Sequence, residues 1–131
     1  MIRPAWDLYF IRIAKEVASR STCKRASVGA VITRNNRILA TGYNGAPMGE
    51  PHCSDEGCVV EDDHCVRAVH AEINAINQAK NHVVNLRDAT LYYWDSKGRY
   101  AQTMERFAEL FPKQAKVVKA TGITRICGRG L

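Results

Sequence analysis

Two β-rich runs, Ser27-Val28-Gly29-Ala30-Val31-Ile32-Thr33 and Ile38-Leu39-Ala40-Thr41-Gly42-Tyr43, flank the pair Asn35-Asn36. Both runs are rich in β-branched and small apolar residues, and a short Asn turn between such runs is typical of a hairpin. The sequence therefore predicts two antiparallel strands, around which the remaining elements are arranged.

Helix and strand patterns extend outward from this hairpin. Before it, apolar residues recur at helical spacing and predict a helix that ends near Ser19 and covers a sheet. These residues are Trp6, Phe10, Ile13, Ala14 and Val17. After it, the patterns predict a helix over residues 71–80, a strand over residues 89–94, a helix from residue 104 that Pro112 interrupts, and a strand over residues 123–127. Two strand-helix-strand crossovers predict parallel pairing, so the expected class is α/β, with one mixed sheet of about four strands and helices on both faces.

The composition is that of one globular domain. The chain has 131 residues, 46% hydrophobic and 24% charged, which excludes a disordered or fibrous protein. No apolar run reaches membrane-spanning length and the amino end has no signal-peptide core, so we expect a cytoplasmic protein without a membrane partner. The net charge of +6 lies wholly in residues 97–131, where eight Lys or Arg face only Glu105 and Glu109. Such a basic segment is typical of solvated helix faces, and nucleic-acid binding is the least favoured alternative.

Four of the five cysteines precede residue 70, and three of them lie in a long loop predicted over residues 44–67. Long loops inside compact domains are often functional, and in a reducing compartment clustered cysteines favour a metal over disulfides. The spacing is compatible with a closed tetrahedral zinc site but does not select its ligands. The candidates are Cys23, Cys53, Cys58, His64 and Cys65. The alternative is that the cysteines are small buried hydrophobic residues.

The triplet His70-Ala71-Glu72 stands at the predicted start of a helix. The first turn of a helix has free N–H groups, and its positive dipole end favours an anionic carboxylate. Residues two apart can therefore both point toward one pocket there. The alternative is an exposed histidine followed by a capping glutamate.

Three segments, in order, resemble the deoxycytidylate (dCMP) deaminase branch of the zinc cytidine-deaminase family. They are Ser27-Val28-Gly29-Ala30-Val31-Ile32, Gly42-Tyr43-Asn44-Gly45-Ala46-Pro47 and His70-Ala71-Glu72-Ile73-Asn74-Ala75-Ile76, and the likeness runs from about Trp6 to Trp94. The resemblance implies an α-β-α sandwich and a single domain over residues 1–131, shortened at its carboxyl end relative to the family. It also implies zinc-assisted hydrolysis of a pyrimidine nucleotide, dCMP, to dUMP and ammonia, by a homo-oligomer.

The resemblance also assigns roles to single residues. His70 matches a zinc ligand and Glu72 matches the general acid and base. Asn44 matches a residue that contacts the sugar, and the Ala71 N–H matches the group that holds the pyrimidine carbonyl. Lys24 and Arg25 are candidates for contact with a phosphate. Runs similar to His52-Cys53 and Asp55-Glu56-Gly57-Cys58 imply a structural zinc in the loop.

The chain departs from the family after its third strand. The family supplies two further zinc ligands there from Pro-Cys-x-x-Cys, whereas Cys127 is the only cysteine after His70. The stretch from Asp95 to Leu110 stands in place of that ligand loop. Three outcomes are open: ligands are recruited from elsewhere, such as Asp95 or a loop cysteine; the chain is a nucleotide-binding or regulatory module without turnover; or the pocket has other chemistry.

Overall fold

The computed structural model describes residues 2–23, 25–45 and 70–131, together with the backbone of residues 60, 61, 64 and 65. The helices in this part of the chain are α1 (Trp6–Ala18), α2 (Ala71–Asn81), α3 (Met104–Leu110) and α4 (Pro112–Ala120). The strands are β1 (Val28–Arg34), β2 (Arg37–Tyr43), β3 (Val60–Glu61), β4 (His64–Cys65), β5 (Thr90–Asp95) and β6 (Arg125–Gly128).

The central sheet has four strands in the order β2-β1-β5-β6. β1 is antiparallel to both β2 and β5, and β5 is parallel to β6, so the expected mixed α/β sheet is confirmed. Parallel pairing was expected for β2 with β5 and for β5 with β6. The first of these pairings is wrong, because β1 lies between β2 and β5. β1 is buried from Gly29 to Thr33 whereas β2 begins with exposed residues, which explains why β1 takes the interior position.

Helices cover both faces of this sheet, as the sequence predicts. On one face, α1 packs Phe10, Ile11 and Ala14 against Val31 and Tyr92. On the other face, the three later helices share a larger core that includes Ile76, Phe107 and Val118. Pro112 ends the first of two short helices and begins the next, and the backbone of Phe111 is non-helical between them.

Glycine permits the close approach of each covering helix. A Cβ atom at Gly29 would meet the Ala14 carbonyl oxygen of α1, and one at Gly42 would meet the backbone of Ala71 and Ala75 in α2. Both helices therefore lie closer to the sheet than any larger residue allows.

Residues 44–67 were expected to form a loop without secondary structure. This is wrong for four of them, since β3 and β4 pair antiparallel, with Val60 opposite Cys65 and Glu61 opposite His64. Strands of two residues are too short to show an alternating pattern in the sequence. Within the part of the chain that the structure covers, none of the helices has the length and apolar character needed to cross a membrane.

One charge network joins the first helix to the last strand. The Tyr92 hydroxyl donates to Asp7 Oδ1 at 2.7 Å, and Arg125 Nη2 donates to Asp7 Oδ2 at 2.7 Å. The Arg125 side chain holds the pKa of Asp7 below its usual value. Since a depressed carboxyl pKa favours the folded state only while the group is ionised, this stabilisation is present above about pH 4 and is lost as the pH falls through the lowered pKa.

Asp7→Asn is therefore expected to lower the free energy of unfolding by about 1 kcal/mol at pH 6 and by less at pH 3. Urea denaturation of the parent and the variant at the two pH values measures the difference. Asp88→Asn, at an exposed carboxylate, is the matched control. A deficit of equal size at both pH values would show that the charge of Asp7 is not its source.

Candidate functional site

His70 and Glu72 meet at the start of α2. His70 is the N-cap with an extended backbone (φ −63°, ψ 149°), and Glu72 lies in the first helical turn. The Nδ1 atom of His70 is 3.5 Å from Oε1 of Glu72. The structure thus brings together the two residues of the predicted triplet that carry chemistry, and Ala71 between them is buried against β2.

The Glu72 carboxyl is buried rather than an exposed cap. The residue is 5% exposed, and its Oε1 atom has no hydrogen-bond partner among the described residues. Burial raises the pKa of Glu72 to about 7, and a smaller effect of the Arg99 charge opposes that rise. A carboxyl that titrates near neutral pH both accepts and donates a proton efficiently, as general acid-base catalysis requires.

Hydrogen bonds between β2 and α2 fix the position of α2. The Asn74 side-chain amide donates to the Tyr43 carbonyl at 2.8 Å, and the Thr41 N–H donates to Oε1 of Gln78 at 2.9 Å. Together with the close approach at Gly42, these bonds hold the first turn of α2 at the carboxyl end of β2. The positions of His70 and Glu72 therefore depend on the sheet.

Asn44 directly follows β2 and is buried. Its Oδ1 accepts a hydrogen bond from the Val28 N–H, and its Nδ2 donates to the Ala26 carbonyl, both at 2.8 Å. Sequence reasoning missed this role, in which the amide joins the end of β2 to the start of β1. Contact of Asn44 with a sugar stays a prediction.

The predicted loop zinc site falls largely outside the described residues. Cys53 and Cys58 lie outside them, as does the phosphate candidate Lys24, and only the backbone of His64 and Cys65 is described. The zinc candidate Cys23 is half-buried just before β1. The other phosphate candidate, Arg25, is exposed. Among the described residues, no group of three or more His, Cys, Asp or Glu side chains is arranged to hold a metal ion. The loop site therefore stays a prediction.

The donor atoms at the start of α2 fit part of a catalytic zinc site. The His70 imidazole fits the role of one metal ligand. The buried Oε1 of Glu72 beside it, which has no hydrogen-bond partner among the described residues, fits the role of a proton carrier. Asp95 is poorly suited as a recruited ligand, because its Oδ1 accepts from the Lys97 N–H and its Oδ2 accepts from Nε of Arg99. Among the described residues, no further His, Cys, Asp or Glu side chains complete a metal site with His70.

The segment after β5 contributes residues that sequence reasoning did not place in the site. Arg99 Nε lies 2.7 Å from Oδ2 of the buried Asp95, and the Arg99 guanidinium lies 5.4 Å from the centroid of the Phe111 ring. The His70 ring stands edge-on to the same Phe111 ring at 6.2 Å. The signal in the sequence is an Asp and an Arg four residues apart at a strand end, which alone is also typical of a solvated turn.

Comparison with known proteins extends over most of the chain. A family model described as the cytidine and deoxycytidylate deaminase zinc-binding region matches residues 4–106. ComE operon protein 2 of Bacillus subtilis is 49% identical over 92 residues, which cover 70% of this chain and 49% of that protein. The deoxycytidylate deaminase of Saccharomyces cerevisiae is 42% identical over 98 residues, covering 70% of this chain and 31% of the relative. The chain thus spans half or less of the length of these relatives.

A viral relative and a solved structure match over more of their own length. The deoxycytidylate deaminase of Mycobacterium phage D29 is 45% identical over 104 residues, covering 70% of this chain and 79% of the relative. The dCMP deaminase of cyanophage S-TIM5, solved in complex with dCMP and dUMP, superposes with a TM-score of 0.64 at 21% identity. That superposition covers 98% of this chain and 100% of the other, and at this identity it shows the fold.

Proposed function

The chain belongs to the cytidine and deoxycytidylate deaminase family, and from this membership we propose that it hydrolyses dCMP to dUMP and ammonia. The observation that carries the proposal is the buried Oε1 of Glu72, which lies 3.5 Å from His70 Nδ1 and has no hydrogen-bond partner among the described residues. The proposed alternative of a nucleotide-binding module without turnover is not favoured by the deaminase relatives.

The proposed role of Glu72 follows from the proton balance of the reaction. Hydrolytic deamination replaces the amine on C4 of cytosine with an oxygen from water, so a proton must leave the water and another must reach the departing amine. A single carboxyl with a pKa of about 7 serves both steps, because it is a base before the attack and an acid after it. Burial at the start of α2 keeps bulk water away from this proton.

Zinc is part of the proposal in two roles. His70 is the proposed protein ligand of a catalytic ion, and four residues among Cys23, Cys53, Cys58, His64 and Cys65 are the proposed ligands of a structural ion. When bound at His70, zinc supplies the Lewis acidity that makes water nucleophilic near neutral pH.

The remaining substrate contacts are proposed from position and chemistry. The Ala71 N–H belongs to the first helical turn, where N–H groups have no partner within the helix, and it suits a pyrimidine carbonyl. Asn44 is proposed to contact the sugar, and Lys24 and Arg25 to contact a phosphate. A cytoplasmic location and a homo-oligomeric assembly belong to the same proposal.

Turnover is tested by incubating purified, zinc-loaded protein with dCMP, dCTP and cytidine, and by following the loss of cytosine absorbance. We expect turnover of dCMP in excess of the two other compounds. The control is Glu72→Ala, which removes the proposed proton carrier. Turnover of the parent no greater than that of the control would contradict the assignment.

A further inference from the structure

Arg99 is anchored by a buried carboxylate. Asp95 is 2% exposed, and its Oδ2 accepts a hydrogen bond from Arg99 Nε at 2.7 Å. The Tyr100 hydroxyl donates to the Asp95 carbonyl at 2.7 Å, and the Lys97 N–H donates to Asp95 Oδ1 at 2.8 Å. These bonds fix the turn after β5 and hold the guanidinium in one position.

The guanidinium of Arg99 is held at the His70–Glu72 site. Phe111 lies beside both groups, with the Arg99 guanidinium over its ring and the His70 ring in a T-shaped arrangement with it. Arg99 therefore lies next to the residues that are proposed to act on the substrate.

One edge of this guanidinium is available to a ligand. Its Nε is used by Asp95, but the two terminal Nη nitrogens have no hydrogen-bond partner among the described residues, and a third of the side chain (33%) is exposed. The Nη edge of arginine is a fork that matches two oxygens of a phosphate or a carboxylate. A fork anchored on a buried acid loses little conformational entropy when it binds.

Further cations lie at the same end of the sheet. Val28 pairs with Asp95, and the Ser96 N–H donates to the Ser27 carbonyl at 2.9 Å, so the segments before β1 and after β5 are adjacent. Arg25 stands before β1 and Lys97 after β5. These two cations therefore lie on segments next to the turn that carries Arg99, whose own Nε is neutralised by Asp95.

We propose that Arg99 binds the phosphate of the nucleotide substrate and that Asp95 is the residue that positions it. The inference rests on the proposed function and deepens it, because it explains selection of a nucleoside monophosphate over a free nucleoside. The contact lies in the segment that stands in place of the family's cysteine pair.

The test measures equilibrium binding, which does not require turnover. Calorimetric titrations with dUMP, deoxyuridine and inorganic phosphate compare the parent with Arg99→Gln, Arg99→Lys and Arg37→Gln. Arg37 is exposed at the start of β2, at the opposite end of the sheet, and provides the same change of charge. Arg99→Lys keeps the charge beside Asp95 but removes the fork, so it separates binding from any folding defect of Arg99→Gln.

We expect Arg99→Gln to weaken binding of dUMP by about 10- to 100-fold and Arg99→Lys to weaken it less, with deoxyuridine unchanged and Arg37→Gln equal to the parent. Inorganic phosphate should compete with dUMP in the parent. Equal losses for dUMP and deoxyuridine would overturn the inference, as would full binding of dUMP by Arg99→Gln. Arg99-dependent binding of dUMP without turnover of dCMP would support the phosphate contact while contradicting the proposed function. A parent chain that does not bind dUMP would overturn both.

Discussion

Glu72→Gln is expected to lower kcat for dCMP by about 100- to 10,000-fold and, at pH 8, to stabilise the fold. The loss of activity follows because glutamine can neither accept nor release the proton that deamination requires. The gain in stability follows because the same buried carboxyl disfavours the folded state when it is ionised. An active-site residue that costs stability is the expected result of placing a charge where water is excluded.

The sign of the pH dependence follows from the raised pKa. The pKa of the folded carboxyl is about 7 whereas that of an unperturbed glutamate is 4.5, so the folded state binds the proton more tightly than the unfolded chain does. Stability therefore falls as the pH rises from about 4.5 to about 7. Glu72→Gln removes this penalty, which amounts to about 3 kcal/mol at pH 8 and much less at pH 5.

Urea denaturation of chelator-treated protein at pH 5 and pH 8 measures the stability, and the absorbance assay of zinc-loaded protein measures the activity. Glu105→Gln, at an exposed position in the first turn of α3, is the matched control and should change neither quantity by much. If Glu72→Gln were less stable than the parent at both pH values, the loss of activity would be assigned to a folding defect instead.

Gly42→Ala is expected to lower the free energy of unfolding by about 3 kcal/mol, with loss of most of the activity. A Cβ atom there would lie 2.5 Å from the Ala71 carbonyl oxygen and 2.9 Å from the Ala75 Cα atom. Both are parts of a helix backbone, which cannot rotate away as a flexible side chain does. The first turn of α2 must then move away from β2, and with it the pair His70 and Glu72.

Thr41→Ala, on the neighbouring residue of β2, is the control, because it removes atoms and adds none against α2. Urea midpoints and kcat/KM for dCMP, measured on the parent and both variants, provide the comparison. An unchanged midpoint in Gly42→Ala would mean that α2 and β2 separate at no cost, and the position of the site would then not depend on this contact.

Much of the fold was predictable because it depends on local pattern. The hairpin of β1 and β2 and the break at Pro112 follow from residues close together in the sequence, as does the apolar face of α1 apart from Trp6, which is exposed, and Ile11, which is buried. The pair His70 and Glu72 was predictable for the same reason. Two residues apart at a helix start, they meet whatever the rest of the chain does.

The other features depend on contacts between residues that are distant in sequence. Periodicity does not specify which strand pairs with which, so the position of β5 beside β1 could not be predicted. The amide of Asn44 bonds to residues that precede it by 16 and 18 positions. In the sequence, Arg99 has the pattern of a solvated cation. Its position in the site depends on Phe111, at the junction of α3 and α4, whose ring lies beneath the guanidinium.

The network of Asp7, Tyr92 and Arg125 has a consequence for the order of events during synthesis. Asp7 and Arg125 are separated by 118 residues, so α1 lacks this partner until the ribosome has released β6. The face of the sheet that α1 covers includes Tyr92 and Cys127, which are translated late. We expect α1 to gain its last contacts, those with Arg125 and Cys127, only after translation reaches β6, and to be more open to chaperones and proteases on the nascent chain until then.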